Sequence, residues 1–168
     1  MSFMKNIKNK KGGFTLIEIL VVIGIIAILA TIVLIAINPS RQFKQAHDTQ
    51  RTSNVNALLN AVGQRIADNK GNFAGVVNGA TPAQTCPNVS TTGASPLTVD
   101  TDYSIFNGTV VGTGVDLSCL MPTYIPSVPT DPTLASGADT GYDLRIDSAG
   151  RITIKAVGEL NPTISVTR

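Results

Sequence analysis

The feature that most limits how this chain folds is a run of 24 residues, 14–37, in which 20 are apolar and one, Glu18, is charged. As an α-helix rising 1.5 Å per residue, such a run reaches about 36 Å, more than the roughly 30 Å hydrocarbon core of a bilayer. It is long enough to span. A chain of 168 residues has room for one small domain besides. With 43% hydrophobic and 14% charged residues, the composition excludes an intrinsically disordered or nucleic-acid-coating chain. That average conceals a division, because the apolar surplus sits in 14–37 and the remainder is ordinary or slightly polar.

Charge is distributed just as unevenly. The formal net charge is +2, from 13 basic and 11 acidic residues, yet Lys5, Lys8, Lys10 and Lys11 precede the apolar run with no acid among them. Without those four, 9 bases stand against 11 acids, a net of −2. From Gly71 onward the bases are Arg145, Arg151, Lys155 and Arg168 against eight acids, so no nucleic-acid-binding patch is expected there.

A secretory signal peptide has an apolar core of about 7–15 residues ending at a small-x-small cleavage site. The run here is longer, and no such site follows it. A plain signal anchor fits the hydropathy, but two local features point elsewhere. Gly12-Gly13 lies at the start of the run, where a protease on the cytoplasmic face has access, and Glu18 lies inside the run. A carboxylate at mid-bilayer depth costs about 2.5–3.5 kcal/mol on insertion scales, so an acid there generally has a partner or a function. The plainer alternative is that Glu18, near the end of the span, reaches the headgroups.

Gly13-Phe14-Thr15-Leu16-Ile17-Glu18, preceded by a lysine-rich leader and followed by the apolar run, resembles the signal of type IV prepilins and type II secretion pseudopilins. The resemblance implies that a membrane prepilin peptidase cuts between Gly13 and Phe14 and that Phe14 is then N-methylated. It also implies a role for Glu18 in assembly, since in family filaments the fifth-position glutamate pairs with the terminal amine of a neighbouring subunit. Both charges are costly when unpaired in an apolar bundle, so the pairing would favour one subunit register. The implied orientation is leader inside and the C-terminal domain outside the cytoplasm. Lysines before the span and Arg41, Lys44 and Arg51 after it leave the charge count nearly balanced.

After the span, Asn38-Pro39-Ser40 interrupts or kinks a continuing helix and offers a cap for a new one. Residues 41–69 place Val55, Leu58, Leu59, Val62 and Ile66 at helical spacing, with Arg51, Asn56, Gln64 and Arg65 expected elsewhere around the wheel. Asp68-Asn69-Lys70-Gly71 is a stop signal. Residues 71–100, rich in Gly, Ala, Ser, Thr, Asn and Pro, read as a long loop. Short β-prone runs follow at 103–106, 109–111, 115–120, 142–146, 151–157 and 163–167. The clearest pair flanks the turn Asp147-Ser148-Ala149-Gly150, and its apolar face (Tyr142, Leu144, Ile146, Ile152, Ile154, Ala156) is expected to cover the helical stripe. The fold class is therefore α+β, a long N-terminal helix, half transmembrane and half amphipathic, on a small antiparallel sheet. The parts are leader 1–13, membrane and assembly helix 14–37, amphipathic continuation 38–70 and head 71–168. Tyr124-Ile125 and Pro129-Thr130-Asp131-Pro132, followed by Tyr142, are similar to the major pseudopilin of type II secretion.

Cys86 and Cys119 are the two cysteines, and outside the cytoplasm such a pair reads most simply as a disulfide, with two unlinked thiols as the alternative. The single histidine, His47, makes a zinc site a poor fit. Asp131, Asp139, Asp143 and Asp147 cluster around the last hairpin, a region where some pseudopilins hold calcium, although no EF-hand spacing is present. No cofactor is expected otherwise. Asn88-Val89-Ser90 and Asn107-Gly108-Thr109 fit the glycosylation sequon. No nucleophile–base set or phosphate loop is recognisable, so the chain reads as the substrate of a peptidase and not as an enzyme. The leading expectation is a pilus-like filament subunit, partnered by prepilin peptidase, other pilin subunits, assembly machinery and membrane lipid, with no nucleic acid. A type II secretion pseudopilin, a minor pilin with a binding surface and a plain anchored domain are the alternatives.

Overall fold

The computed structural model describes residues 12–77, 85–87, 97–135 and 137–168. The lysines of the leader and the Asn88 sequon lie outside the described residues. Two compact units divide the chain, Met1–Arg41 and Gln42–Arg168.

The first unit contains helix α1, Leu16–Ala36, and none of its residues is buried. A helix that is apolar on every face belongs in lipid or among other helices, not in water. At 1.5 Å per residue, its 21 residues span about 31 Å. Thr31 donates its Oγ1 hydroxyl to the Ala27 carbonyl at 2.8 Å, so the one polar side chain in the middle of the helix is satisfied by the helix itself.

Helix α2, Pro39–Asp68, begins with proline at its first position, where the missing N–H is no loss. The Asn38 side chain accepts the Arg41 N–H at 3.3 Å and caps it. From residue 42 onward α2 belongs to the second unit. Val55, Leu58, Leu59 and Val62 are buried as the spacing predicts, with Ile66 packed at the margin. Asn56 and Gln64 are exposed, as expected. Arg51 and Arg65 correct the reading, since both charged side chains are buried rather than solvated. The helix stops where Lys70 and Gly71 take positive φ and the Gly71 N–H returns to the Ile66 carbonyl at 2.9 Å.

The segment expected to be a single loop contains two short strands, β1 (Gly75–Val76) and β2 (Thr85–Cys86), paired antiparallel. The main sheet comprises β3 (Asp102–Phe106), β4 (Gly114–Asp116), β5 (Asp139–Ile146), β6 (Ile152–Ala156) and β7 (Ile164–Thr167), in the order β4-β3-β5-β6-β7. Four of these strands form the expected antiparallel set. Strand β4 runs parallel to β3 and departs from a pure meander. Residues 109–111 form an exposed connection instead of a strand, and the run expected at 115–120 is divided between β4 and a 3-10 turn, Ser118–Leu120. Val110 and Val111 have β-prone side chains but no buried face to place them on.

The hairpin registers as the alternation requires, with Tyr142 opposite Ala156, Leu144 opposite Ile154 and Ile146 opposite Ile152. All six are buried and join Val55, Leu58, Leu59 and Val62 in one core with Ile105, Val115, Leu117 and Leu120. The second unit is thus a helix packed on a mostly antiparallel sheet, an α+β head.

Candidate processing and assembly site

Residues 12–15 have no regular secondary structure and are exposed. At Gly12 and Gly13 the position of an added Cβ has no neighbour within 4 Å, so the backbone beside the expected scissile bond is open. Phe14 is 85% exposed.

Thr15 is the N-cap of α1, with extended backbone at φ −80° and ψ 151°. Its Oγ1 accepts the Glu18 N–H at 3.3 Å, and Glu18 Oε2 accepts the Thr15 N–H at 2.7 Å and the Thr15 hydroxyl at 2.8 Å. This is a reciprocal capping box. A negative side chain in the first turn also suits the positive end of the helix dipole. The structure therefore adds a third reading of Glu18 to the pairing and headgroup readings, in which its own helix start satisfies one carboxylate oxygen. The signal was present in the sequence as Thr15-x-x-Glu18, directly before an apolar run.

In the second unit, Cys86 and Cys119 are joined by a disulfide with Cα atoms 5.1 Å apart, fastening β2 to the 3-10 turn. The four aspartates of the last hairpin have separate occupations. Asp139 accepts the Gly141 N–H at 2.9 Å, Asp143 accepts the Ser104 hydroxyl at 3.1 Å, and Asp147 organises its own turn through Ala149 and Arg151. Asp131 faces α2, where it meets Arg51. Among the described residues, no group of three or more His, Cys, Asp or Glu side chains is arranged to hold a metal ion.

A buried ionic cluster around Arg51 is one part of the head that periodicity missed. Arg51 donates Nε to Asp131 Oδ2 at 2.6 Å, Nη2 to Asp131 Oδ1 at 3.0 Å, and Nη1 to Asp48 Oδ1 at 2.9 Å. Asp48 also accepts the backbone N–H groups of Glu159, Leu160 and Asn161 at 2.8–3.0 Å. Gly158 permits this wrap, because a Cβ there would collide with the Asn161 carbonyl and approach Asp48. Burial would raise the Asp48 carboxyl, but these amides and Arg51 outweigh it and hold the group far below the usual carboxylate range. Burial likewise opposes charge at Asp131, yet Arg51 and Thr133 bring it down to about 2. His47 Nδ1 meets Glu159 Oε1 at 2.6 Å at the edge of the cluster. The cluster ties α2 to two loops, with the single guanidinium of Arg51 set against the carboxylates of Asp48, Asp131 and Glu159.

An exposed glycine pair, a capped helix start and an apolar helix without a buried residue thus follow one another at the N-terminal end of the described chain. Residues 8–34 match the prokaryotic N-terminal methylation motif. The chain therefore carries the prepilin signal of type IV pilins and pseudopilins, which supports a pilin-like or pseudopilin precursor. In length and composition, α1 fits a single-pass membrane anchor. No curated protein and no solved structure matches the chain.

Proposed function

We propose that the chain is a structural, non-catalytic subunit of a type IV pilus-like filament, stored in the membrane as a prepilin. Prepilin peptidase removes 1–13 by cutting between Gly13 and Phe14, and the new Phe14 amine is methylated. The α1 helices then leave the bilayer and polymerise, with Glu18 of one subunit taking the Phe14 amine of another, while the heads remain outside the cytoplasm. The observation that carries this reading is the match at 8–34 on a helix with no buried residue, whose sole charge belongs to its capped first turn. Such a helix has its whole surface available for lipid first and sister helices afterwards. Mass spectrometry of the mature N-terminus tests it: methylated Phe14 is expected, and retained Met1 would leave only a signal anchor.

A second reading, a type II secretion pseudopilin, is favoured by the Pro129-Thr130-Asp131-Pro132 stretch. In this chain Asp131 links that stretch to Arg51 of α2. Microscopy of sheared cell-surface material separates the two, since a pilus yields long filaments at native expression and a pseudopilus does not.

A further inference from the structure

The connection after β3 carries chemistry that neither processing nor assembly uses. Asn107 is exposed, and its carboxamide has no hydrogen-bond partner among the described residues. Gly108 follows with φ +104°, and an added Cβ there would have no neighbour within 4 Å. A glycine after asparagine leaves its backbone nitrogen with the least hindered approach to the asparagine Cγ. We propose that Asn107-Gly108 is a site of spontaneous deamidation through a cyclic imide, restrained by Asp116.

In the first step water or hydroxide takes the Gly108 amide proton and the nitrogen attacks Asn107 Cγ. A new N–C bond closes the imide, the Cγ–Nδ2 bond breaks, and ammonia leaves. Water then adds to either imide carbonyl and breaks one of the two C–N bonds, giving aspartate or isoaspartate. The restraint lies in the attacking atom. The Gly108 N–H donates to Asp116 Oδ1 at 2.9 Å, and Asp116 is itself held by the Ser118 N–H at 2.8 Å and the Ser118 hydroxyl at 2.9 Å. A carboxylate on that proton opposes its removal, and the hydrogen bond fixes the orientation of the amide plane. Reaction places a new negative charge beside Asp116. The isoaspartate product also lengthens the main chain between β3 and β4, the parallel pair of the sheet.

The test incubates the full-length chain in detergent at mildly alkaline pH and maps peptides by mass spectrometry that resolves aspartate from isoaspartate, with Asn107→Gln as the blank. Wild type is expected to gain the amide-to-acid mass slowly at Asn107. Asp116→Asn is expected to convert several-fold faster, and Ser118→Ala, which loosens Asp116 while keeping its charge, to fall between the two. Ser118→Ala keeps the comparison open if Asp116→Asn does not fold. Equal rates in wild type and the folded variants would overturn the proposal, as would no conversion in any of them. A sugar mass on Asn107, through the Asn107-Gly108-Thr109 sequon, would overturn it as well.

Discussion

Arg51 and Asp131, 80 positions apart, form a two-point contact in which Nε and Nη2 of the guanidinium each meet a different oxygen of one carboxylate. The arginine side chain is 2% exposed and the aspartate 9%. Two parallel charge-assisted bonds fix orientation as well as distance, so the pair positions the 129–133 loop on α2. The Asp131 N–H extends the link to the Thr140 carbonyl of β5 at 2.8 Å.

Breaking one side of this contact leaves a buried charge without its partner. Arg51→Ala is expected to destabilise the head by about 3–5 kcal/mol. Chemical unfolding followed by circular dichroism measures it, and a loss within experimental error would mean that the pair contributes nothing to folding.

The same pair predicts an acid limit. Asp131 falls from an ordinary 3.8 to about 2 in the folded state, so its stabilisation is complete above the unfolded value and disappears as pH drops from about 4 to about 2. Asp48, held lower still, extends the decline further into acid. Stability measured against pH should fall through this window in wild type. In Asp131→Asn the slope between pH 4 and 2 should be shallower.

The disulfide between Cys86 and Cys119 closes a segment with a sequence separation of 33. On the chain-entropy account, removing it with Cys86→Ser and Cys119→Ser together costs about 3–4 kcal/mol. Denaturant midpoints with and without reductant provide the comparison, and wild type treated with reductant should approach the double variant.

Gly114 in β4 has no room for a side chain, since an added Cβ would run into the Phe106 ring and the Ser104 carbonyl. Gly114→Ala is expected to cost about 1–3 kcal/mol through overpacking. A thermal melt unchanged from wild type would show that β4 moves aside without cost.

Thr15 and Glu18 can be tested apart. Thr15→Ala removes the side chain that accepts the Glu18 N–H, a loss of about 1 kcal/mol at a helix start, while retaining the acid. Glu18→Ala removes both the cap partner and the proposed pairing charge. Both variants should insert and be cleaved, but Glu18→Ala should give far fewer filaments in sheared preparations. Equal yields from the two would sink the pairing role.

How much of this was legible follows from what periodicity records. Alternation gave the β5–β6 hairpin and its turn, because Tyr142, Leu144 and Ile146 project to one side in register with Ile152, Ile154 and Ala156. Helical spacing gave the Val55 to Val62 stripe. Arg51 and Arg65 were misplaced because a charged residue reads as solvent-facing until its partners are known, and those partners are Asp131 far along the chain and the Phe73 carbonyl. The parallel β4 was hidden for a similar reason. Three residues of strand carry too little pattern to indicate a direction. The helix start is the opposite case: Thr15-x-x-Glu18 is legible in the sequence as a capping box, because both partners lie within one turn.

None of the side chains of Leu16–Ala36 is buried, whereas the core of the head begins at Val55. Substitutions in the apolar helix therefore escape the folding constraint that governs the head. The core that holds the head together and the surface of the apolar helix are drawn from separate residues, so a substitution in one leaves the side-chain packing of the other as it was.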